Sequence, residues 1–172
     1  EELCGKKFSK STVSALCKTL DPIVHAFKTR PLESHYPFLI VDALYLKVRE
    51  DSRVRSRGLL IAIGVGEKGY REIIGFHVSN TESESSWGEF FSSLKERGLK
   101  DVHLVTSDNH KGLVNAVKRH FQGATWQRCQ THFSRNMLDN APKALQPEIK
   151  EDLRKLYEAV DLESSKKVKD QI

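Results

Sequence analysis

An α/β fold, with one mixed five-stranded sheet flanked by helices, is what this 172-residue sequence predicts. Three observations carry the prediction. Three strand-length apolar runs succeed one another between residues 38 and 78, divided only by turn-rich stretches, which is the pattern of an antiparallel meander. Helical and strand periodicities then alternate, so that later strands return beside the first through helical crossovers. Two acids, Asp42 inside the first run and Asp108 at the end of the fourth, occupy strand positions where a carboxylate has to be given a reason.

Bulk composition narrows the class. Apolar residues make up 38% and charged residues 30%, a balance that buries a core and excludes a disordered chain. No run of about 18 apolar residues occurs, so no membrane span is expected. Net charge is +5, which favours a polyanionic partner without requiring one. Cys4, Cys17 and Cys129 are odd in number and form no CxxC pair, which points to a reducing compartment and away from a disulfide framework. The start, Glu1 to Lys6, has neither an initiator Met nor a signal peptide and reads as the middle of a longer protein.

The elements follow in order. Residues 8–20 place Val13, Leu16, Cys17 and Leu20 at helical spacing. The opposite face carries Lys10, Ser11, Thr12 and Lys18, small donors and cations that a recognition helix offers to a DNA groove and that a plain surface helix also carries. Asp21-Pro22 interrupts that pattern, a second apolar set follows, and residues 28–32 read as a linker. Phe38 to Val48 is a long strand, read as covered on both faces, with Asp42 on the face of Ile40, Leu44 and Leu46. Residues 49–57 form a charged turn in which Arg53, Arg55 and Arg57 suit either a solvated hairpin tip or phosphate contact. Residues 58–65 are the second strand. Residues 70–78 are the third, with Tyr70, Glu72, Ile74, Phe76 and Val78 on one face.

Thr81 to Glu84 has capping-box spacing, and Trp87, Phe90, Phe91 and Leu94 form the core stripe of a helix that ends at Gly98. Residues 102–106 are a fourth strand running into Asp108, and residues 110–121 are a helix. Residues 124–128 are a fifth strand, a helix starts at Cys129, and a last amphipathic helix from Pro147 to Val160 aligns Ile149, Leu153, Leu156 and Val160.

A carboxylate in an apolar strand needs donors, a basic partner or a cation, because burying it bare costs several kcal/mol or neutralises it. Asp42 therefore fits a structural acid tied to backbone or to an Arg, or a metal or catalytic role. Asp108, preceded by Ser107, fits a helix N-cap as well. The pair together favours the second role, since two Asp side chains at neighbouring strands hold hard divalent cations for phosphoryl transfer. Three antiparallel strands, helix, strand, helix, strand, helix is also the order of a ribonuclease H-like fold, in which the first acid lies on the first strand and the second at the end of the fourth.

Residues 36–50, residues 107–113 (Ser-Asp-Asn-His-Lys-Gly-Leu) and residues 126–136 (Trp-Gln-Arg-Cys-Gln-Thr-His-Phe-Ser-Arg-Asn) resemble the Mutator-type transposases of bacterial insertion sequences. The resemblance implies a DDE polynucleotidyl transferase that cuts and joins DNA with two Mg²⁺ or Mn²⁺ ions, Asp42 bridging them and Asp108 binding one. It implies double-stranded DNA, transposon ends and target, as partner, a homo-oligomer, and a bacterial cytoplasmic, nucleoid-associated setting with no membrane. It implies an organisation with residues 1–35 the end of a helical DNA-binding region and linker, 36–140 the catalytic core, and 141–172 the start of a helical insertion.

Cys129 and His132 match the C-x-x-H pair of that family. His110, Lys111, Arg128 and Arg135 join the N-terminal and arginine-turn residues as candidate DNA contacts. Two departures stand out. The family's third acid, a Glu beyond the insertion, has no assigned counterpart among Glu148, Glu151, Glu158 and Glu163, so the chain is expected to be a fragment, inactive alone. Asn109 follows the second Asp where the family carries a smaller residue. The competing reading is a transposase-derived DNA-binding or regulatory protein with an inactive core.

Overall fold

The computed structural model describes residues 9–50 and 52–171, together with the backbone of a short ladder in which β1 (Glu2–Leu3) pairs antiparallel with β2 (Lys6–Lys7). Two compact units result, residues 1–126 and 127–172.

In the first unit, α1 (Lys10–Lys18) is capped by Ser9, whose side chain accepts from the Thr12 N–H at 3.1 Å. α2 (Asp21–Thr29) starts on Pro22, which lacks only an N–H that the first turn leaves unbonded anyway. The apolar stripe of α1 is not buried. Val13 is 46% and Leu16 55% exposed.

α2 has a partner: Phe27 stacks on Phe76 at 5.8 Å between centroids. The linker that follows is part of the core unit rather than a boundary. Leu32 and Tyr36 are buried, the Leu32 N–H donates to the Arg97 carbonyl, and Arg97 Nε donates to the Arg30 carbonyl. Those bonds are why the units divide at 126/127 and not near residue 35.

The sheet contains β3 (Phe38–Glu50), β4 (Arg53–Val65), β5 (Arg71–Ser79), β6 (Leu104–Ser107) and β7 (Thr125–Arg128) in the order β5-β4-β3-β6-β7. β3, β4 and β5 are antiparallel, and β6 is parallel to β3. This mixed order, with the meander on one side of β3 and the crossover strands on the other, is ribonuclease H-like, as the sequence predicts.

One face of the sheet carries Leu39, Val41, Leu60, Ala62 and Ile74. They pack with Trp87, Phe90, Phe91 and Leu94 of α3 (Glu84–Glu96) and with Leu113, Ala116 and Val117 of α4 (Lys111–His120). Each large side chain buried there contributes about 1.5–3 kcal/mol, so this layer supplies most of the cohesion. α3 closes at Gly98, whose φ of 108° suits a residue without Cβ.

Several expectations need correction. β3 is not covered on both faces along its length: Leu44, Tyr45 and Leu46, past the last pair with β6 at Ile40, are 48%, 58% and 46% exposed. The single face expected for β5 is split. A register shift between Ala62 and Ile63 makes Ile74 an extra residue, so Ile74 turns to the core while Phe76, opposite Ile61, stays on the other face. The capping box of α3 is Ser83 with Ser86, not Thr81 with Glu84, since a hydroxyl reaches the cap N–H from the third helical position and leaves Glu82 outside the helix.

The second unit holds α5 (Gln130–Asp139), α6 (Gln146–Tyr157) and α7 (Leu162–Gln171). Leu153 is buried, whereas Val160 lies beyond the end of α6 and is 92% exposed. The stripe expected to continue to Val160 therefore stops at Tyr157.

Candidate active site

Strand pairing brings the two acid-bearing strands together. β3 and β6 pair as Phe38↔Leu104, Leu39↔Val105 and Ile40↔Thr106. Asp42 lies two residues past Ile40 and Asp108 two past Thr106, just beyond the end of β6. Adjacent strands are about 4.8 Å apart, and period-two alternation within β3 puts Asp42 on the face of Ile40.

Each carboxylate is held locally by the next peptide. The Ala43 N–H donates to Asp42 Oδ1 at 2.9 Å, and the Asn109 N–H donates to Asp108 Oδ1 at 2.6 Å. Both residues are half-buried. Local bonding thus fixes one oxygen of each acid. The donor set at this point is all oxygen, which suits a hard cation such as Mg²⁺ and not a thiolate-seeking one. Among the described residues no group of three or more His, Cys, Asp or Glu is placed to hold a metal ion, so the pair offers two protein carboxylates and no closed cage.

A polar brace supports Asp108. Ser107 is 1% exposed; its hydroxyl donates to the Asp108 carbonyl at 2.7 Å and accepts from Trp126 Nε1 at 2.9 Å. That bond ties the two motifs, Ser107-Asp108-Asn109 and Trp126-Gln127-Arg128, across β6 and β7. A second brace centres on Glu82. It accepts from Trp87 Nε1 at 3.1 Å and from the Tyr45 hydroxyl at 3.2 Å, and its Oε1 lies 3.5 Å from His110 Nδ1. Burial, then the charge and bonding of Glu82, push the Tyr45 hydroxyl pKa up.

Reading the sequence missed both braces. Glu82 lies inside the stretch read as a capping box, and Trp126 inside a short strand. Only the neighbourhood of Ser107 to Asp108 hinted at support.

The remaining candidate residues fall in different places. Ser11 and Thr12 hydroxyls are bonded to Ser9 Oγ, each at 2.8 Å, while Lys10 and Lys18 are exposed on α1. Arg53 and Arg55 are exposed on β4. Arg57 is engaged: its guanidinium donates to both carboxylate oxygens of Glu50 and to Asn80 Oδ1. That contact holds the Glu50 carboxyl below the usual range, with Arg57 hydrogen bonding as the first cause.

His110 is the N-cap residue of α4, and Lys111, exposed, opens that helix. In the second unit, Arg128 lies over the Phe133 ring at 5.1 Å, and Arg135 is exposed beside a groove that Ser134, Gln146 and Tyr157 also line. Cys129 caps α5 and His132 follows within its first turn, both half-buried. Zinc normally takes four ligands, and no third His, Cys, Asp or Glu joins them to hold a metal among the described residues. A groove of the first unit lies elsewhere, lined by Glu84 and Glu89 of α3 and Arg119 and His120 of α4, and includes neither acid.

Comparison with known proteins supplies a context for this geometry. The model of the family described as "Transposase, Mutator family" matches residues 1–172. The chain is similar to the transposase for insertion sequence element IS256 in transposon Tn4001 of Staphylococcus aureus, at 46% identity over 173 aligned positions, covering 100% of this chain and 44% of that protein. It is also similar to the transposase for IS1081 of Mycobacterium tuberculosis, at 47% identity over 165 residues, covering 95% of this chain and 40% of that one. The chain thus spans less than half the length of these relatives. Among solved structures, the HTLV-2 integrase catalytic core domain in complex with magnesium aligns with 73% of this chain and 89% of its own, at 12% identity and a TM-score of 0.38.

Proposed function

The chain belongs to the Mutator family of transposases, and on that premise we propose that residues 36–140 are the DNA-cutting core of an insertion-sequence transposase, with Asp42 and Asp108 as catalytic metal ligands. The observation that supports the reading is the β3–β6 register, whose last pair, Ile40↔Thr106, lies two residues before each acid. Divalent cations bound there, two in the complete site, supply activation of an attacking oxygen and neutralisation of the leaving one. The work of this chain is positional. Asp42 and Asp108 present oxygen ligands, the peptide N–H groups of Ala43 and Asn109 orient them, and the Ser107–Trp126 bond holds the strand end from which Asp108 projects.

The proposal extends to a third carboxylate supplied by the longer protein, and to double-stranded DNA, the element's ends and its target, as substrate. The surplus of cations in this chain, net +5, is of the sign that partner needs. Holding two ends together requires a homo-oligomer of the full-length protein.

Manganese binding followed by calorimetry and by electron paramagnetic resonance tests the site without requiring activity. The wild-type chain is expected to bind Mn²⁺ and lose that binding in both Asp42→Asn and Asp108→Asn. Retention of full Mn²⁺ binding in either variant would remove the acid pair from the mechanism.

A further inference from the structure

The ribbon formed by β3 and β4 beyond the sheet has no part in the chemistry above, yet it starts beside Asp42. β5 pairs with β4 only from Gly58 onward. The rungs Leu46↔Arg57, Lys47↔Ser56, Val48↔Arg55, Arg49↔Val54 and Glu50↔Arg53 therefore form an arm two strands wide. At about 3.4 Å per residue its end lies roughly 27 Å along β3 from Asp42.

The composition of the arm is lopsided. Residues 46–57 carry Lys47, Arg49, Arg53, Arg55 and Arg57 against Glu50 and Asp51, a net +3 of the chain's +5. The cations differ in exposure. Arg57 is half-buried and bound by Glu50 and Asn80, which ties the arm to the turn after β5 and offsets Glu50. Lys47, Arg49, Arg53 and Arg55 are exposed.

Register sets where those four point. Lys47 and Arg49 alternate onto one face of the ribbon, whereas Arg53 and Arg55, opposite Glu50 and Val48, lie on the other. An arm lying flat on one phosphate strand needs cations on a single face. Cations on both faces suit a ribbon seated in a major groove between two phosphate strands, a space that accepts a two-stranded β-ribbon.

We propose that the β3–β4 ribbon is a clamp for duplex DNA, entering the major groove of the helix that is cut at Asp42 and Asp108 and gripping phosphates on both sides through Lys47, Arg49, Arg53 and Arg55. The proposal rests on the reading of the acid pair as a DNA-cutting site, since that reading is what places a duplex beside the ribbon. Arg57 and Glu50 are its positioning residues. Contacts of this kind act on phosphates, so the grip is independent of sequence and falls steeply with salt.

The test is fluorescence anisotropy of the 172-residue chain on a labelled duplex of about 30 base pairs, three helical turns, in EDTA across a salt series. Lys47→Gln/Arg49→Gln and Arg53→Gln/Arg55→Gln are each expected to lower the slope of log affinity against log salt by about 2, and to weaken binding roughly tenfold or more at about 0.1 M salt. Lys166→Gln/Lys167→Gln on exposed α7 removes the same charge and is expected to change affinity less than about twofold. Arg53→Lys/Arg55→Lys keeps the charge and is expected to keep the slope, which separates a lost grip from a misfolded arm.

The anisotropy assay runs in EDTA and does not read Mn²⁺ binding, so failure of the metal reading and failure of the clamp give different results. Equal weakening by the ribbon and α7 pairs would overturn the clamp. So would unchanged DNA affinity in ribbon variants that instead abolish a wild-type dimer in sedimentation, because the ribbon would then be a self-association edge.

Discussion

Removal of the Ser107 hydroxyl tests the internal logic of the site most directly. Ser107→Ala takes the acceptor away from the Trp126 indole N–H and the donor away from the Asp108 carbonyl, bonds of 2.9 and 2.7 Å. An inward-facing N–H left without a partner costs about 1–3 kcal/mol, whereas a part-exposed carbonyl regains water and loses about 0.5–1 kcal/mol. Ser107 is 1% exposed, so water has no route to replace its hydroxyl, and the total comes to about 1.5–4 kcal/mol.

Trp126→Phe removes the N–H and some packing against the core cluster, but leaves a hydroxyl that can still serve Asp108. Once the indole N–H is gone, Ser107→Ala costs only about 0.5–1 kcal/mol, so the two changes are coupled by about 1–3 kcal/mol. Urea unfolding of the four proteins of this double-mutant cycle measures the coupling. Additive single effects, with coupling under about 0.3 kcal/mol, would show that the bond does not hold the strand end from which Asp108 projects.

Three further outcomes are expected. Gly112→Ala places a Cβ 2.7 Å from the Glu84 backbone N and 3.0 Å from the Ser83 carbonyl carbon; the overpacking of about 1–3 kcal/mol exceeds the gain of up to about 1 kcal/mol in helix propensity, and a lowered urea midpoint checks it. Asp108→Asn relieves repulsion between two half-exposed carboxylates, so without metal it raises the unfolding midpoint by an amount worth up to about 1 kcal/mol, while Mn²⁺ stabilises the wild-type protein and not the variant; a variant less stable in EDTA would contradict that repulsion.

The third concerns pH. Burial, then Lys95 and Arg119, push the His120 pKa below its ordinary 6.5, so its contribution is complete above about 6.5 and lost as pH falls through the lower native value. Hydrogen bonds from Tyr36 and Arg30 push Glu72 below 4.5, so its contribution fades only in more acid solution. Unfolding midpoints against pH in His120→Gln should therefore flatten near pH 6 and keep the acid limb, which Glu72→Gln in turn reduces.

The sequence was legible wherever a property depends on near neighbours. Trp87, Phe90, Phe91 and Leu94 face inward as their spacing demands, Gly98 ends its helix, and the order of strands and helices yields the sheet order of the fold. It was misread wherever two distant segments compete. Alternation in β5 gives no sign of the extra residue at Ile74, because a bulge is fixed by pairing with β4. The run from Phe38 to Val48 is apolar enough for a buried strand, but Leu44, Tyr45 and Leu46 lie past the last β3–β6 pair at Ile40 and are exposed.

Sequence by itself determined which residues are the candidates for the chemistry and which elements they sit on: two acids at strands, the Ser107-to-Gly112 and Trp126-to-Asn136 motifs, a cationic hairpin. Tertiary structure alone decided who meets whom. The β3–β6 register sets the two acid-bearing strands beside each other, the Ser107 hydroxyl finds Trp126, Glu82 gathers Tyr45 and Trp87, and Arg57 is bound by Glu50 and Asn80. Helical period, capping and turn formation are set within a few residues of chain. Register and side-chain bracing are set by contacts across tens of residues, whose geometry exists only once the sheet has closed.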